Sequence, residues 1–439
     1  MKNHIVFGVS FALVFLLVIA TIIFPQTIDK ISNYVHSFII EHFGWGYLLS
    51  AFFFLIFCFV LAFGPYGNIK LGKDFETPTY SYFGWISMLF AAGMGIGLIF
   101  WGVAEPLKHY IQPPQYLNTR TGEAATFAMK YSFFHWGFHP WAIYIIISLS
   151  LAYFSFRRGM PTLISSCFYP LLGEKIYGVT GYLIDILAVF ATIFGVATSL
   201  GLGALQINSG LNFVVGIPDN DTFRIIIIVI VTILFIASSI SGVSKGIQIL
   251  SKTNIVLAVL LMLFLLTIGP TSYILNVFTS TMGKYISSLV EMSLNSNTFE
   301  GYKWTKTWTL FYWAWWISWS PFVGVFIASV SRGRTIREFV LAVLLVPSLF
   351  TFLWFSVFGG AVLNLELEQG VTMPTPTSDS IAMPIFNLFS NFPFTNILSG
   401  IAILLLIVFF ITSADSATYV LGMMTSGGNR RPSNFKKIT

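Results

Sequence analysis

The chain has 439 residues, of which 56% are hydrophobic and only 9% are charged, and its net charge is +6. A soluble globular domain carries roughly 25% charged residues, so the composition excludes one large soluble core. The two cysteines, Cys58 and Cys167, lie in or near apolar segments and exclude a disulfide framework.

Ten apolar segments are each long enough to cross about 30 Å of hydrocarbon as a helix. In chain order they are residues 5–25, 45–63, 83–103, 131–154, 181–205, 223–240, 254–275, 308–330, 339–363 and 394–421. The first segment follows a short basic start but has no small-residue cleavage pattern, so we interpret it as a retained span and not a signal peptide. The sequence therefore predicts an all-α, polytopic membrane protein that forms a single transmembrane domain over residues 1–439.

Lysine and arginine are distributed unevenly between alternate connections. With the N-terminus in the cytoplasm, about two thirds of the 23 basic residues lie on the inner side, as the positive-inside rule requires. The positive charge then reflects topology, and we expect no nucleic-acid partner.

The third segment contains three glycines at two-residue spacing, Gly93, Gly95 and Gly97. Each costs a helix about 1 kcal/mol relative to alanine. Helix–helix packing usually places small residues four apart on one face, so the spacing favours an unwound stretch over close packing, although both remain open. The eighth segment has its own predicted break at Ser318–Pro321, because proline removes a backbone donor. Two interrupted spans in corresponding halves are typical of a transporter binding site.

Aromatic residues are concentrated just before that proline, where four of the seven residues from 313 to 319 are tryptophan. Trp315, Trp316 and Trp319 share one helical face. The fourth segment adds Trp136, Trp141 and Tyr144. Interfacial belts and packing are the ordinary roles of such residues. The alternative is a cage for a quaternary ammonium, which has no N–H to donate and gains about 2 kcal/mol from each desolvated ring face.

The connection between the seventh and eighth segments has apolar residues at helical spacing. They are Tyr285, Ile286, Leu289, Val290 and Leu294. The pattern predicts either an amphipathic helix on the outer surface or an ordinary surface loop.

Few polar residues in the predicted spans indicate a catalytic or metal-binding function. Asp185 is an intramembrane carboxylate and hence a functional candidate, but the sequence gives it no specific role. We interpret His135 and His139, four residues apart, as packing residues. Without a visible nucleophile–base set or metal cluster, the sequence does not indicate an enzyme.

Three stretches carry a resemblance to a known family. Residues 88–97 with Glu105 and Pro106, residues 308–339, and residues 412–416 resemble signature motifs of the betaine/choline/carnitine transporter family. The resemblance implies twelve spans, a LeuT-like inverted-repeat core and a homotrimer. It divides this chain into two extra N-terminal spans (1–82), a first five-span repeat (83–276), a connecting surface helix (277–307) and an incomplete second repeat (308–439) that lacks the last two spans.

The resemblance also implies a function, namely sodium symport of glycine betaine or a related compatible solute across the cell membrane. Choline or carnitine transport, proton-coupled or by exchange, is the alternative. Members that carry choline without sodium tend to have an acid at the position of Gly97, so glycine there implies a zwitterionic substrate.

The residues implied to act fall into two sets. The substrate-binding set is Trp136, Trp141, Tyr144, Trp316, Trp319, Phe311, Gly93, Gly95 and Gly97. The sodium set comprises backbone carbonyls of Ala91, Met94 and Phe409, the hydroxyls of Thr412 and Ser413, and Thr192 for a possible second ion. Apart from sodium as the coupling ion we expect no cofactor, and the other expected partner is membrane lipid.

Overall fold

The fold is given by a computed structural model that describes residues 2–93, 95–299, 302–377, 380–430 and 432, without the side chains of residues 2–4, 91–92 and 238–248. Within that part of the chain the structure is helical and has no strand, only one isolated bridge between Lys70 and Thr335. The helices are α1 Lys2–Ile23, α2 Pro25–Phe63, α3 Tyr82–Gly93, α4 Gly95–Ile111, α5 Gly122–Trp136, α6 Phe138–Ala152, α7 Tyr169–Leu172, α8 Val179–Val215, α9 Asp221–Ile268, α10 Thr271–Ser287, α11 Leu289–Leu294, α12 Tyr302–Thr305, α13 Phe311–Val330, α14 Ile336–Leu367, α15 Pro384–Phe389 and α16 Thr395–Met424.

Eight helical stretches in the described residues are long and apolar enough to cross a bilayer, and the bent pair α3–α4 makes nine. They match every predicted span except the sixth, which reaches into residues 238–248. The burial pattern is that of a membrane protein, with apolar side chains on the outside of the bundle. Only 11% of the most apolar window of Ile5–Ile23 is buried, against 72% for Tyr302–Val330.

Several predicted boundaries are wrong. Helix α4 ends at Ile111 and not at residue 103, α5 begins at Gly122 and not at residue 131, and α8 ends at Val215 and not at residue 205. Helix α2 begins at Pro25, twenty residues before the expected start, because proline is well suited to the first position of a helix. The expected connection between residues 240 and 254 is helical, since no proline interrupts α9. The seventh span ends at Ile268 and not at residue 275, because Gly269 and Pro270 stop the helix there.

The predicted break at Pro321 is also wrong, because α13 continues through it. Proline leaves the carbonyl of Ile317 without its usual backbone donor. The hydroxyl of Ser320 donates to that carbonyl at 2.7 Å, so the orphaned group is satisfied within the helix. The irregular part of the eighth span lies earlier, in a π turn at Lys306–Leu310.

The third span is interrupted near the expected place, where Tyr82–Phe90 and Gly95–Ile111 meet at 61°. Gly95 and Gly97 are helical, and residue 94 lies outside the described residues. A second break, which the sequence did not predict, separates α5 from α6 at Gly137. A Cβ there would meet the carbonyl oxygen of Phe133 at 2.5 Å and the ring of Phe352 at 2.6 Å. This break directly follows Trp136 and therefore lies beside the tryptophans, within the single span Gly122–Arg157.

The connecting segment forms α10 and α11, but its apolar residues do not share one face. Tyr285 is fully buried and packs 5.1 Å from the ring of Phe352. Ile286, Val290 and Leu294 are exposed instead. Leu289 is half-buried. The five residues therefore do not form the single apolar face that was predicted, because Tyr285 packs in the core and Ile286, Val290 and Leu294 face outward.

Charged loop residues join the α2–α3 connection to the α13–α14 connection. Arg332 donates to both carboxylate oxygens of Glu76, at 2.8 and 2.5 Å, and this contact holds the pKa of the Glu76 carboxyl below its usual range. The N–H of Gly333 bonds the carbonyl of Leu71 at 2.8 Å. Thr335 and Glu338 then form a capping box that starts α14. These contacts give the 308–339 motif a structural role.

Candidate functional site

A small cavity lies among α3, α4, α5, α8, α13 and α16. It is lined by Gly93, Gly95, Ile96, Gly97, Trp136, Ser199, Trp315, Trp316, Trp319 and Ser413. Its volume is about 20 Å³, which is room for roughly one water molecule. Most of the predicted substrate-binding residues thus come together around one space.

The predicted aromatic residues form a connected set of edge-to-face rings. The ring of Trp316 lies 5.0 Å from that of Trp136 at 77°, and 6.3 Å from that of Tyr144 at 83°. Trp141 lies 5.6 Å from Tyr144 at 89°. We call Trp136, Trp141, Tyr144 and Trp316 the cage. All four are buried, and edge-to-face pairs at these distances are the geometry that aromatic quadrupoles favour.

Three residues of the predicted set do not line the cavity. Trp141 and Tyr144 belong to the cage but are absent from the cavity lining. Phe311 is 37% exposed and packs 6.0 Å from the ring of Trp315. It is therefore beside the cavity and not in it.

The three glycines let the bent third span approach the rings. A Cβ at Gly93 would lie 2.6 Å from the ring of Trp141, and one at Gly97 would lie 2.8 Å from the ring of Trp136. A Cβ at Gly95 would lie 3.2 Å from the hydroxyl of Ser413 and 3.3 Å from the ring of Phe409. Close packing, the alternative left open by the spacing, accounts for all three glycines.

Three cavity residues were missing from the predicted set, namely Ile96, Ser199 and Trp315. Trp315 stacks on Trp316, with ring centroids 4.9 Å apart and an angle of 10°. Trp315 could have been predicted as a cavity residue, because it shares one helical face with Trp316 and Trp319. Ser199 lies seven residues after Thr192 on α8, a spacing that places both on one face of a helix.

A fully buried carboxylate, Glu105, lies directly behind the cage. Its Oε2 accepts the indole N–H of Trp136 at 2.6 Å and the hydroxyl of Tyr312 at 2.5 Å. Its Oε1 is 2.7 Å from His135 Nδ1 and 3.1 Å from His109 Nε2. We call these five residues the Glu105 network.

The histidines of the sequence analysis have separate surroundings. His139 packs as expected, 5.4 Å from the ring of Trp313 and with Nε2 2.8 Å from Ser293 Oγ. His135 joins Glu105 and His109 in a cluster whose ligand atoms lie within 4.8 Å of one another. The backbone carbonyl of His135 also accepts the indole N–H of Trp316 at 3.0 Å, so the network holds two cage rings.

Three of the predicted sodium residues, Phe409, Thr412 and Ser413, lie on α16, which packs beside α4. Thr412 Oγ1 lies 3.0 Å from the carbonyl of Val408 and 3.1 Å from that of Phe409. The same oxygen accepts from Asn254 Nδ2 at 3.3 Å. Ala91 lies in α3, whereas Met94 lies outside the described residues.

Thr192 Oγ1, suggested for a second ion, is 4.0 Å from the sulfur of Met424. Thioether sulfur is a soft ligand that sodium does not favour, but the hydroxyl oxygen keeps its lone pairs. A second sodium at this position stays a prediction.

Asp185 lies away from the cage, on α8. Its carboxylate accepts the backbone N–H of Ser165 at 3.0 Å and the hydroxyl of Ser165 at 2.8 Å. It borders a cavity of about 170 Å³ with mostly apolar walls. The contacts give Asp185 a structural role, since they fix the segment around Ser165 to α8.

Comparison with known proteins gives one consistent result. The profile of the betaine/carnitine/choline family of transporters matches residues 5–439. The glycine betaine transporter OpuD of Bacillus subtilis is 49% identical, over all of this chain and 86% of its own length. An ectoine/hydroxyectoine transporter of Virgibacillus pantothenticus is 42% identical over 99% of this chain and 87% of its own. An osmo-dependent choline transporter, BetT2, of Acinetobacter baylyi is 41% identical over 97% of this chain and 62% of its own.

Proposed function

The chain belongs to the betaine/carnitine/choline transporter family and is a multi-pass membrane transporter, and we propose that it imports glycine betaine or a related quaternary-ammonium solute together with sodium. The observation that carries the proposal is the cage. A choline or carnitine transporter, proton-coupled or exchanging, is the second candidate, and the choline-transporting relative favours it.

The trimethylammonium end of the substrate would bind to the ring faces around the cavity. Such a group offers no hydrogen-bond donor, so several convergent rings are the chemistry that recognises it. The cavity of about 20 Å³ is smaller than a betaine molecule needs. Binding therefore requires the rings of Trp136 and Trp316, which are 5.0 Å apart, to separate.

The carboxylate end of a zwitterion would meet the first turn of α4. Backbone N–H groups in the first turn of a helix have no acceptor within that helix, and the helix dipole adds positive potential there. Gly95 and Gly97 belong to this turn and line the cavity. Glycine adds no charge that would repel the carboxylate, which supports a zwitterionic substrate over a net cation.

The sodium ion would be held by the carbonyls of Ala91, Met94 and Phe409 with the hydroxyls of Thr412 and Ser413. Oxygen-only ligation suits a hard cation. The closeness of Ser413 and Phe409 to Gly95 supports this proposal, because it places the expected ion beside the substrate cavity.

Sodium coupling is energetically sufficient. Accumulating a zwitterion 1,000-fold costs about 4.1 kcal/mol. One sodium ion that enters through roughly 100 mV supplies about 2.3 kcal/mol, and a tenfold sodium gradient adds about 1.4 kcal/mol. One ion nearly meets the cost and two ions exceed it.

The remaining architectural expectations are part of the same proposal. They are a cytoplasmic N-terminus, residence in the cell membrane, a LeuT-like repeat core and a homotrimer in lipid. The positive-inside distribution supports the orientation. The exposed apolar residues Ile286, Val290 and Leu294 support a protomer contact along α10 and α11.

The cage is tested by Trp316→Ala. We expect the half-saturating betaine concentration to rise roughly tenfold or more, because a desolvated ring contact of about 2 kcal/mol is lost. Trp316→Phe keeps a ring face and should retain most of the affinity. Trp45→Ala, at a 64% exposed tryptophan outside the cage, is the matched control. Unchanged betaine affinity in well-expressed Trp316→Ala protein would show that the cage does not bind the substrate.

A further inference from the structure

With a proton on each of the two histidine nitrogens that face it, Glu105 accepts four hydrogen bonds as an ionised carboxylate. The indole N–H of Trp136 can only donate, and it meets Oε2 at 2.6 Å. The hydroxyl of Tyr312 meets the same oxygen, and two histidine nitrogens meet Oε1. A carboxylate is an acceptor only and can satisfy four such contacts.

The charge of Glu105 lies in contact with one wall of the cavity. Trp136 lines the cavity and is a member of the cage. A charge-assisted hydrogen bond is short and strong, and it polarises the group that donates it. A carboxylate at the indole N–H therefore increases the negative potential of the ring face, which is the property that attracts a cation.

We propose that Glu105 is a positioning residue that makes the cage select a positively charged headgroup, acting through the indole of Trp136. The inference deepens the proposed function and rests on it. Glu105 does not touch the substrate. It orients the Trp136 ring and supplies the negative charge that a cationic headgroup requires and a neutral group of the same shape does not.

A metal site at the same residues fits the geometry less well. Both histidine nitrogens lie at hydrogen-bond distance from one oxygen, Oε1, at 2.7 and 3.1 Å. The other oxygen is already bonded to an indole N–H, which is not a metal ligand.

The nearest lysine on the same helix, Lys108, lies 5.7 Å over the ring of Trp308 and not against the carboxylate. The negative charge thus faces Trp136, Tyr312 and the two histidines.

The test compares two ligands of one shape and different charge. Glycine betaine has a trimethylammonium group, and 3,3-dimethylbutanoate replaces its nitrogen with carbon. The headgroup preference is the inhibition constant of 3,3-dimethylbutanoate divided by the half-saturating betaine concentration. Glu105→Gln keeps an oxygen for the Trp136 N–H but removes the charge, so we expect this preference to fall roughly tenfold, equivalent to about 1.4 kcal/mol.

A purely structural role of Glu105 predicts a different result. If the residue only held the ring in place, Glu105→Gln would weaken both ligands equally and leave the preference at the parental value, which would overturn the proposal. Glu105→Asp keeps the charge and should retain the preference even if both affinities fall. Asp185→Asn removes a buried carboxylate far from the cage and is the matched control, with an expected preference equal to that of the parent.

A second pair of variants keeps the proposal falsifiable if Glu105→Gln does not fold. Trp136→Phe and Trp141→Phe each remove one indole N–H from the cage, but only Trp136 donates to Glu105. The indole nitrogen of Trp141 has no hydrogen-bond partner in the described residues. We expect Trp136→Phe to lower the headgroup preference more than Trp141→Phe does. An equal fall in both would contradict the proposal.

Failure of the inference can be told apart from failure of the proposed function. If the parent protein does not prefer betaine over 3,3-dimethylbutanoate, the cage itself is wrong. If the parent prefers betaine and Glu105→Gln retains that preference in full, the cage recognises the ammonium group and the proposed role of Glu105 is wrong.

Discussion

At the scale of single residues, Gly97 combines a steric and an electrostatic requirement. A Cβ there would lie 2.8 Å from the ring of Trp136, so even alanine requires that ring to move. A charged side chain would in addition place its group in the cavity where the substrate carboxylate is proposed to bind. Only the electrostatic effect can be predicted from the sequence, because the distance from Gly97 to Trp136 depends on the fold.

Gly97→Asp is expected to reduce betaine uptake and to favour choline. Like charges about 4 Å apart cost roughly 4 kcal/mol at an effective dielectric of 20, which disfavours the betaine carboxylate. Choline is a net cation and gains a partner. Paired uptake of both labelled solutes measures the switch.

Gly97→Ala is the control for that prediction, since it introduces the steric change without the charge. We expect it to weaken both substrates without reversing their order. Normal betaine uptake by Gly97→Asp would show that Gly97 does not contribute to substrate selection.

How far the site could be predicted differs between the cage and the Glu105 network. The tryptophan spacing and the family motifs identified the cage residues, because they cluster along two short stretches of chain. The network joins groups that are 30 and 207 residues apart in sequence. No local pattern connects Glu105, His135 and Tyr312, so only the fold could bring them together.

At the scale of helices, the sequence located irregularities less well than spans. Pro321 was expected to break α13, but Ser320 satisfies the carbonyl that proline leaves free. Gly137 was not expected to break the fourth span, yet close packing against Phe352 permits only glycine there. Both outcomes depend on contacts one turn away or across the bundle, which composition alone does not encode.

The contact of α16 with α4 leads to a prediction on sodium. Thr412→Ala combined with Ser413→Ala should raise the sodium concentration needed for half-maximal uptake, since both hydroxyl ligands are lost. Betaine affinity measured at saturating sodium should change less. Sodium activation curves of variant and parent are the measurement.

Thr418→Ala is the matched control for the double variant. Its hydroxyl donates to the carbonyl of Ala414 at 2.7 Å on the same helix, and Thr418 is not among the cavity residues. Its sodium activation curve should match that of the parent. Identical curves for all three proteins would exclude Thr412 and Ser413 as sodium ligands.

At the scale of the whole molecule, the spans were predictable because hydropathy and length alone decide which segments can cross a bilayer. Nine of the ten predicted spans correspond to helical stretches that meet this condition in the described residues. The inner loops were less predictable. The basic residues of these loops, which predict the orientation through the positive-inside rule, also form specific ion pairs. Arg332 contacts Glu76, and Arg157 contacts Asp74 at 2.7 Å.

Solute uptake distinguishes sodium-coupled transport of a zwitterionic quaternary ammonium from transport of choline or transport without sodium. The purified protein in liposomes would be given labelled betaine or choline under an inward sodium gradient, with potassium replacing sodium in the parallel sample. We predict saturable betaine uptake that exceeds choline uptake and is lost in potassium. Betaine uptake that is absent, or equally fast in potassium, would contradict the account.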